Sequence, residues 1–462
     1  MSLPIPAPRR RLTRMGLCAL AVVSLCLGTP ALAAAQAPTP TPGPPTSAAK
    51  PMLSPEEAHK RALREATRLG NHSYYDATKV RDDGRSSQSL SRLATAAAFP
   101  AAPPQPDTDD CLASDDAERK EGRTYNRLLW CQTIEYRARY QTIDQSGNVK
   151  YWGTNALRWN MVALGSNTQR AIRVFWRPVP GSVKYLDWAG GSVIPSQLLF
   201  AVRADCAQGA PLCSTTGAAA FNTWGDWNTT TAWSSWDIEA PALANDSTRE
   251  KISSLDWHLS TDGRSPGFPI GGGQTIDLPF RCDSADYFSR FGQPHDRACV
   301  FTTVIPHLQY SRSSPKHGAV AEHIYEAQMS PDTTYPAESH RKVIPGKWMN
   351  DPDAPSLHRV EGSGAIASAN TTWKNYACNR NGAYTPITGL PPKTPQQEAE
   401  KWQCDEYPFR ATAEGASSGT WDFSVRWVPK AQNGSAGGSL ISYFFDDRIL
   451  FVNDPFWVQI NP

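Results

Sequence analysis

The chain has 462 residues, 40% hydrophobic, 19% charged and 10% aromatic, so it can bury cores and is not a wholly disordered polymer. A formal net charge of +2 excludes both a histone-like basic protein and an acidic solvating tail, and names no partner by itself. After the first thirty residues no apolar run approaches the roughly 20 residues needed to cross a bilayer, which excludes a polytopic membrane protein.

Residues 1–33 read as a secretory signal peptide. Arg9, Arg10, Arg11 and Arg14 precede an apolar stretch from Met15 to about Gly28, and Ala31-Leu32-Ala33 offers a small-residue cleavage site. A signal anchor is the rival, but the apolar run is short and no stop-transfer pattern follows. The expected product is secreted and extracellular, with no transmembrane segment in the mature chain. Residues 34–106 read as a Pro/Ala-rich linker carrying one short helix. Ser54-Pro55-Glu56-Glu57 supplies a cap, a first-turn proline and acids, and Gly70 a stop; whether this island is a propeptide or a binding segment stays open.

Residues 107–280 are dominated by short strand-like runs. Ile134, Tyr136, Ala138 and Tyr140 alternate with Glu135, Arg137 and Arg139, the period of a strand with one buried face. Further runs at 151–162, 171–176 and 198–202 point to an antiparallel sheet or sandwich. Trp224, Trp227, Trp233 and Trp236 would stack on sugar rings or bases if exposed; core filling is the favoured alternative. A cell-wall or polysaccharide ligand for this accessory domain follows only from the exposed reading.

From 281 to 462 the texture is mixed, so the fold class is α+β. A helix is expected over Gly318–Ala327 with Val320, Ile324 and Ala327 on one face, and a shorter one over Pro395–Trp402. Strands are expected over Ser424–Val428 and Arg448–Val452, with a Gly-rich turn from Asn433 to Gly438 between them.

Two cysteines fall in the signal peptide and eight remain: Cys111, Cys131, Cys206, Cys213, Cys282, Cys299, Cys378 and Cys404. An even count in an exported chain reads as disulfides, and four sequence-local pairs in that order are the expected pairing. Structural zinc is the competitor, but no C-x-x-C and no finger-like Cys/His spacing occurs.

The densest polar constellation is Cys404-Asp405-Glu406-Tyr407-Pro408-Phe409, then Glu414-Gly415-Ala416, then Asn433. Adjacent acids on an extended segment point to opposite faces, so at most one of Asp405 and Glu406 faces a given site. Carboxylates with an amide are hard oxygen donors suited to Mg²⁺, Mn²⁺ or Ca²⁺, and a spare carboxylate can act as a base on water, which suffices for metal-assisted phosphodiester hydrolysis. Gly415-Ala416-Ser417-Ser418-Gly419 matches a nucleophile-elbow pattern, but no histidine follows it, so it reads as a loop.

Cys404 to Phe409 with Glu414-Gly415-Ala416 resembles the signature of the NucA/NucB family of secreted bacterial deoxyribonucleases. His323-Ile324 with Ala327, then Arg380 with Gly382-Ala383, then Ser424-Val425-Arg426 leading to Asn433, and finally Arg448-Ile449-Leu450-Phe451, resemble further family segments in the same order. The resemblance spans the chain from near Cys282 onward, and the first 280 residues lie outside it. It implies a fold similar to the ββα-metal (His-Me finger) nucleases, an Mg²⁺ or Mn²⁺ cofactor and a DNA substrate. Carried over by position, Asp405 activates the water, Glu406 is a neighbouring acid, and Asn433 and Glu414 are metal ligands; the roles of Asp405 and Glu406 stay unseparated.

Arg380, Arg410 and Arg426 are the expected phosphate contacts, each with the alternative of a cross-strand pair or a solvated face. His323 is the alternative base, although a histidine on an amphipathic helix is more often simply packed. Asn433-Gly434-Ser435 is also a glycosylation sequon. The reading is an exported, disulfide-bonded, metal-dependent endonuclease with little sequence preference. Its rivals are a polysaccharide-binding β protein with a degenerate nuclease domain and a nuclease toxin; a glycosidase is the least favoured.

Overall fold

The computed structural model describes residues 50–80, 98–191, 193–217, 221–264, 273–290, 293–451 and 454–462. The expected signal peptide, the Pro-rich stretch up to residue 49 and residues 94–97 of the second Ala/Pro-rich stretch lie outside the described residues. Among the described residues no helix is long and apolar enough to cross a membrane.

All eight cysteines form the four sequence-local disulfides: Cys111–Cys131, Cys206–Cys213, Cys282–Cys299 and Cys378–Cys404. The β-rich part is built of two antiparallel sheets around one core. One holds Arg123–Asn126, Leu129–Ile143, Val149–Leu164, Ala171–Pro178, Ser234–Glu239 and Ser214–Thr216 in that spatial order. The other runs Ala298–Phe301, Leu278–Asp283, Ser253–Arg264, Leu199–Cys206 and Asn222–Thr223. Ala138 and Tyr140 enter the shared core while Arg137 and Arg139 stay in solvent, as the alternation requires. Trp224, Trp227 and Trp236 are buried there with Trp159, Trp176 and Trp257, so they fill a core and present no ring to an external sugar. Trp233 is half-buried against Phe175 with the Arg177 guanidinium over its ring.

The expected boundary at 280/281 falls inside the strand Leu278–Asp283. Cys282 and Cys299 are cross-strand partners, and the β-rich layer continues to Phe301. The change of texture after Cys282 therefore marks a loop, not the end of the sheet.

The remainder comprises α1 (Pro55–Leu69), β1 (His72–Asp76), β2 (Ile305–Ser311), α2 (Gly318–Met329), β3 (Leu357–His358), α3 (Ala365–Asn379), β4 (Gln403–Tyr407), β5 (Ser424–Val428), α4 (Lys430–Asp446) and β6 (Pro455–Asn461). The start and stop of α1 follow from its sequence: Ser54 and Glu57 form a reciprocal capping box, and Gly70 closes the helix at φ 68°. Leu63 and Ala66 pack on Ile305 and Trp457, and β1 then pairs in parallel with β2. The island within the expected linker is thus an edge of the C-terminal sheet, whose order is β1-β2-β6-β3. Five residues of strand hidden among polar neighbours, with tyrosines facing both ways, gave too short a signal to read.

Two expectations fail here. The Gly-rich turn is the first half of α4, and residues 448–451 of the expected strand form the irregular segment that follows α4, Val452 lying outside the described residues. Glycine lowers helix propensity, but Ala436, Leu440, Tyr443 and Phe444 bury one face of α4 and override it. Arg448 takes a left-handed backbone at φ 51°, and Arg448, Ile449 and Leu450 are all fully buried, so no alternation exists to be read. The closing strand is β6.

A buried charge network joins the two parts. Asp454 accepts from both terminal nitrogens of Arg127, from Nη1 of Arg281 and from the Leu450 amide, and Arg448 donates twice to Asp283. Burial would raise the Asp454 carboxyl, but Arg127 and Arg281 outweigh it and hold it well below the usual carboxylate range.

Candidate active site

β4 and β5 form an antiparallel hairpin in which Asp405 lies opposite Arg426 and Glu406 opposite Val425. The helix α4 follows two residues later, giving a strand–strand–helix unit. The disulfide Cys378–Cys404 ties β4 to α3.

Strand pleating separates the acids. Gln403, Asp405 and Tyr407, with Ser424, Arg426 and Val428, face α2 and α4. Tyr407 accepts from Gln328 of α2 at 3.0 Å, Arg426 pairs with Glu326 of α2 at 2.7 Å, and Asn433 in the first turn of α4 donates to Gln403 at 3.3 Å. His323 of α2 bridges Asp405 Oδ2 (2.7 Å from Nδ1) and Ser424 Oγ (2.8 Å from Nε2). Asp405 keeps only 11% of its side chain exposed, at the bottom of this face, while Arg426 and Glu326 are half-buried at its rim.

Glu406 belongs to the opposite face, with Cys404, Val425 and Trp427 against α3. Lys374 of α3 lies 3.8 Å from its carboxylate. Burial raises the Glu406 carboxyl to about 7, with Lys374 opposing and Asp405 adding to the rise. Asp405 and Asn433 therefore share a face of the hairpin and Glu406 does not.

Glu414 is engaged elsewhere: its carboxylate accepts from the backbone and Nδ1 of His358, each at 2.8 Å. Next to it, a Cβ on Gly415 would stand 2.3 Å from the Asn370 amide. That amide donates to the Arg410 and Thr412 carbonyls while its oxygen accepts from Ser417, so the Glu-Gly pair exists to let the loop close on α3. Ser417 is held in that loop and belongs to no strand-to-helix elbow.

Of the three arginines, only Arg426 reaches the face of Asp405. Arg380 is the left-handed C-cap of α3 at φ 57°, and Gly382 at φ 61° lies against the Tyr376 ring where a Cβ would clash at 2.7 Å. The R-x-G-A segment is thus a helix stop. Arg410 is exposed and donates to Thr371 and to the Gly362 carbonyl. The contacts of Lys374, His358 and Ser424 were not legible, since their partners lie 32, 56 and 101 residues away in the chain.

Among the described residues no group of three or more His, Cys, Asp or Glu side chains is placed to hold a metal ion. Asp405, Asn433 and Gln403 bring side-chain oxygens to this face, hard donors of the kind Mg²⁺ accepts.

Residues 358–459 match the family model described as deoxyribonuclease NucA/NucB. The match covers Asp405, Glu406, Glu414, Arg426 and Asn433 and starts after α2, so His323 lies outside it. No curated protein and no solved structure matches the chain. The C-terminal segment is thus similar to a deoxyribonuclease family, as its motifs implied.

Proposed function

We propose that the protein is an exported endonuclease that hydrolyses DNA phosphodiester bonds with the help of a divalent cation, and that Asp405 is the base. The observation that carries this is the strand–strand–helix unit inside the matched segment, with a sparsely exposed carboxylate on its first strand and an amide ligand on its helix sharing one face. In this reading the unit serves as a ββα-metal site, with an acid where those enzymes carry histidine.

In this reading Asp405 takes a proton from water as the water oxygen bonds to phosphorus and the phosphorus–oxygen ester bond breaks. Asn433, with Gln403 beside it, would hold Mg²⁺ or Mn²⁺. When bound, the cation supplies stabilisation of charge on the phosphate and the departing oxygen. Arg426, paired with Glu326 at the rim, exchanges that partner for a phosphate. Phosphate contacts of this kind carry no base information, so cutting has little sequence preference and weakens with salt. Glu414 is assigned to orienting the His358 ring. Glu406 is assigned to the packing of α3 with Lys374. Eight disulfide-bonded cysteines and the N-terminal sequence support export.

The test is plasmid cleavage by the oxidised mature chain with Mg²⁺, with Mn²⁺ and with EDTA. Nicking and linearisation that need the cation support the reading. A folded chain that cuts nothing under any cation overturns it.

A further inference from the structure

The link His323–Asp405 carries a consequence beyond the matched segment. His323 Nδ1 lies 2.7 Å from Asp405 Oδ2, and with Nδ1–H donating there Nε2 is left to pair with the Ser424 hydroxyl at 2.8 Å. Three elements meet in this chain of two bonds: β5, α2 and β4. Ser424 is 0% and His323 1% exposed, and Val320 and Ile324 of α2 and Val428 of β5, on the same elements, belong to the apolar core. The Tyr310 hydroxyl donates to the Ala436 carbonyl at 2.8 Å.

Ser, His and Asp have the residue types of a hydrolytic triad, yet Ser424 has no exposed surface for a substrate to meet. The chain therefore ends at Asp405, the one member with solvent access. Asp405 Oδ2 is fixed by it, and Oδ1 makes no hydrogen bond among the described residues.

We propose that His323 and Ser424 are positioning residues that hold the Asp405 carboxylate in its working orientation, with Oδ1 as the proton-accepting oxygen. This rests on Asp405 being the base. A buried polar pair of this kind specifies geometry that an apolar filler at 323 would leave loose. Partners that orient a reacting or ligating group are worth about 10- to 100-fold in activity.

The experiment uses the full mature chain and a duplex substrate, measuring kcat, KM and thermal unfolding for His323→Ala, His323→Asn, Ser424→Ala, Asp405→Asn and the double His323→Ala/Asp405→Asn. The proposal expects His323→Ala to lower kcat by about 10- to 100-fold with KM within about twofold. His323→Asn, whose amide can still donate to Oδ2, recovers most of the rate, and Ser424→Ala loses less than His323→Ala. In the Asp405→Asn background the His323→Ala change has no further effect, because its only route to the reaction is gone. Equal losses in His323→Ala and His323→Asn that follow thermal stability, or an unchanged kcat in His323→Ala, overturn the proposal. If His323→Ala does not fold, His323→Asn and Ser424→Ala decide: a wild-type kcat in Ser424→Ala together with a dead His323→Asn overturns it. Full activity of Asp405→Asn is a separate failure, removing the base assignment on which the proposal rests.

Discussion

Replacing Glu406 by glutamine separates the two acids of the Asp-Glu pair by their effect on stability. The Glu406 side chain is 12% exposed, and its carboxyl is raised by burial to about 7 from an ordinary value of 4.5, with Lys374 only partly compensating. The native state thus holds this proton more tightly than the unfolded chain. Between pH 4.5 and 7 the native state has more protons bound, so stability falls as pH rises through that window and levels off above it. A shift of that size corresponds to about 3 kcal/mol at most, at about 1.4 kcal/mol per pH unit. Glutamine keeps the shape and never ionises. Glu406→Gln should equal the parent near pH 4.5 and exceed it by up to about 3 kcal/mol at pH 8. Asp447 is also raised by burial, to about 7, and tilts the parent curve in the same direction, so the difference between the two proteins is the quantity to read. Urea unfolding of both oxidised chains at pH 4.5, 6 and 8 measures it. A variant less stable than the parent at pH 8, or a difference independent of pH, would refute the reasoning.

Two further outcomes follow from packing. Asp454→Asn strips the counter-charge from Arg127 and Arg281, which are 3% and 8% exposed, and should cost about 3–5 kcal/mol in urea unfolding; a cost below about 1 kcal/mol would mean the network is not what joins the two parts. Gly437 lies on the open side of α4 with nothing within 4 Å of an added Cβ, so Gly437→Ala should stabilise by about 1 kcal/mol through helix propensity, and a destabilised variant would contradict the helical assignment of that segment.

What could be read from the sequence was what local interactions determine. The cap and stop of α1 lie within its own fifteen residues and flanks, the alternation at 134–140 is set by pleating, and the disulfides join neighbours in the chain. The Asp405–Glu406 pair was visible because it is contiguous, and opposite facing was already implied by strand geometry. Which acid faces α2 and α4 was not, since those helices pack from 82 residues upstream and from a segment that its glycines disguised. The same holds for β1, whose pairing with β2 closes a loop of more than two hundred residues. The glycines of the Glu-Gly and R-x-G-A segments looked like family signature and prove to be close contacts with Asn370 and Tyr376.

The central claim is that Asp405, and not its neighbour, performs the hydrolytic step. The direct measurement is single-turnover cleavage of supercoiled plasmid in saturating Mg²⁺ by Asp405→Asn and Glu406→Gln beside the parent, with folding checked by thermal unfolding. The account predicts a folded Asp405→Asn slowed by at least about 100-fold and a Glu406→Gln within a few-fold of the parent. A folded Asp405→Asn that cuts at the parent's rate while Glu406→Gln is inactive would contradict it, and would move the site to the face packed against α3.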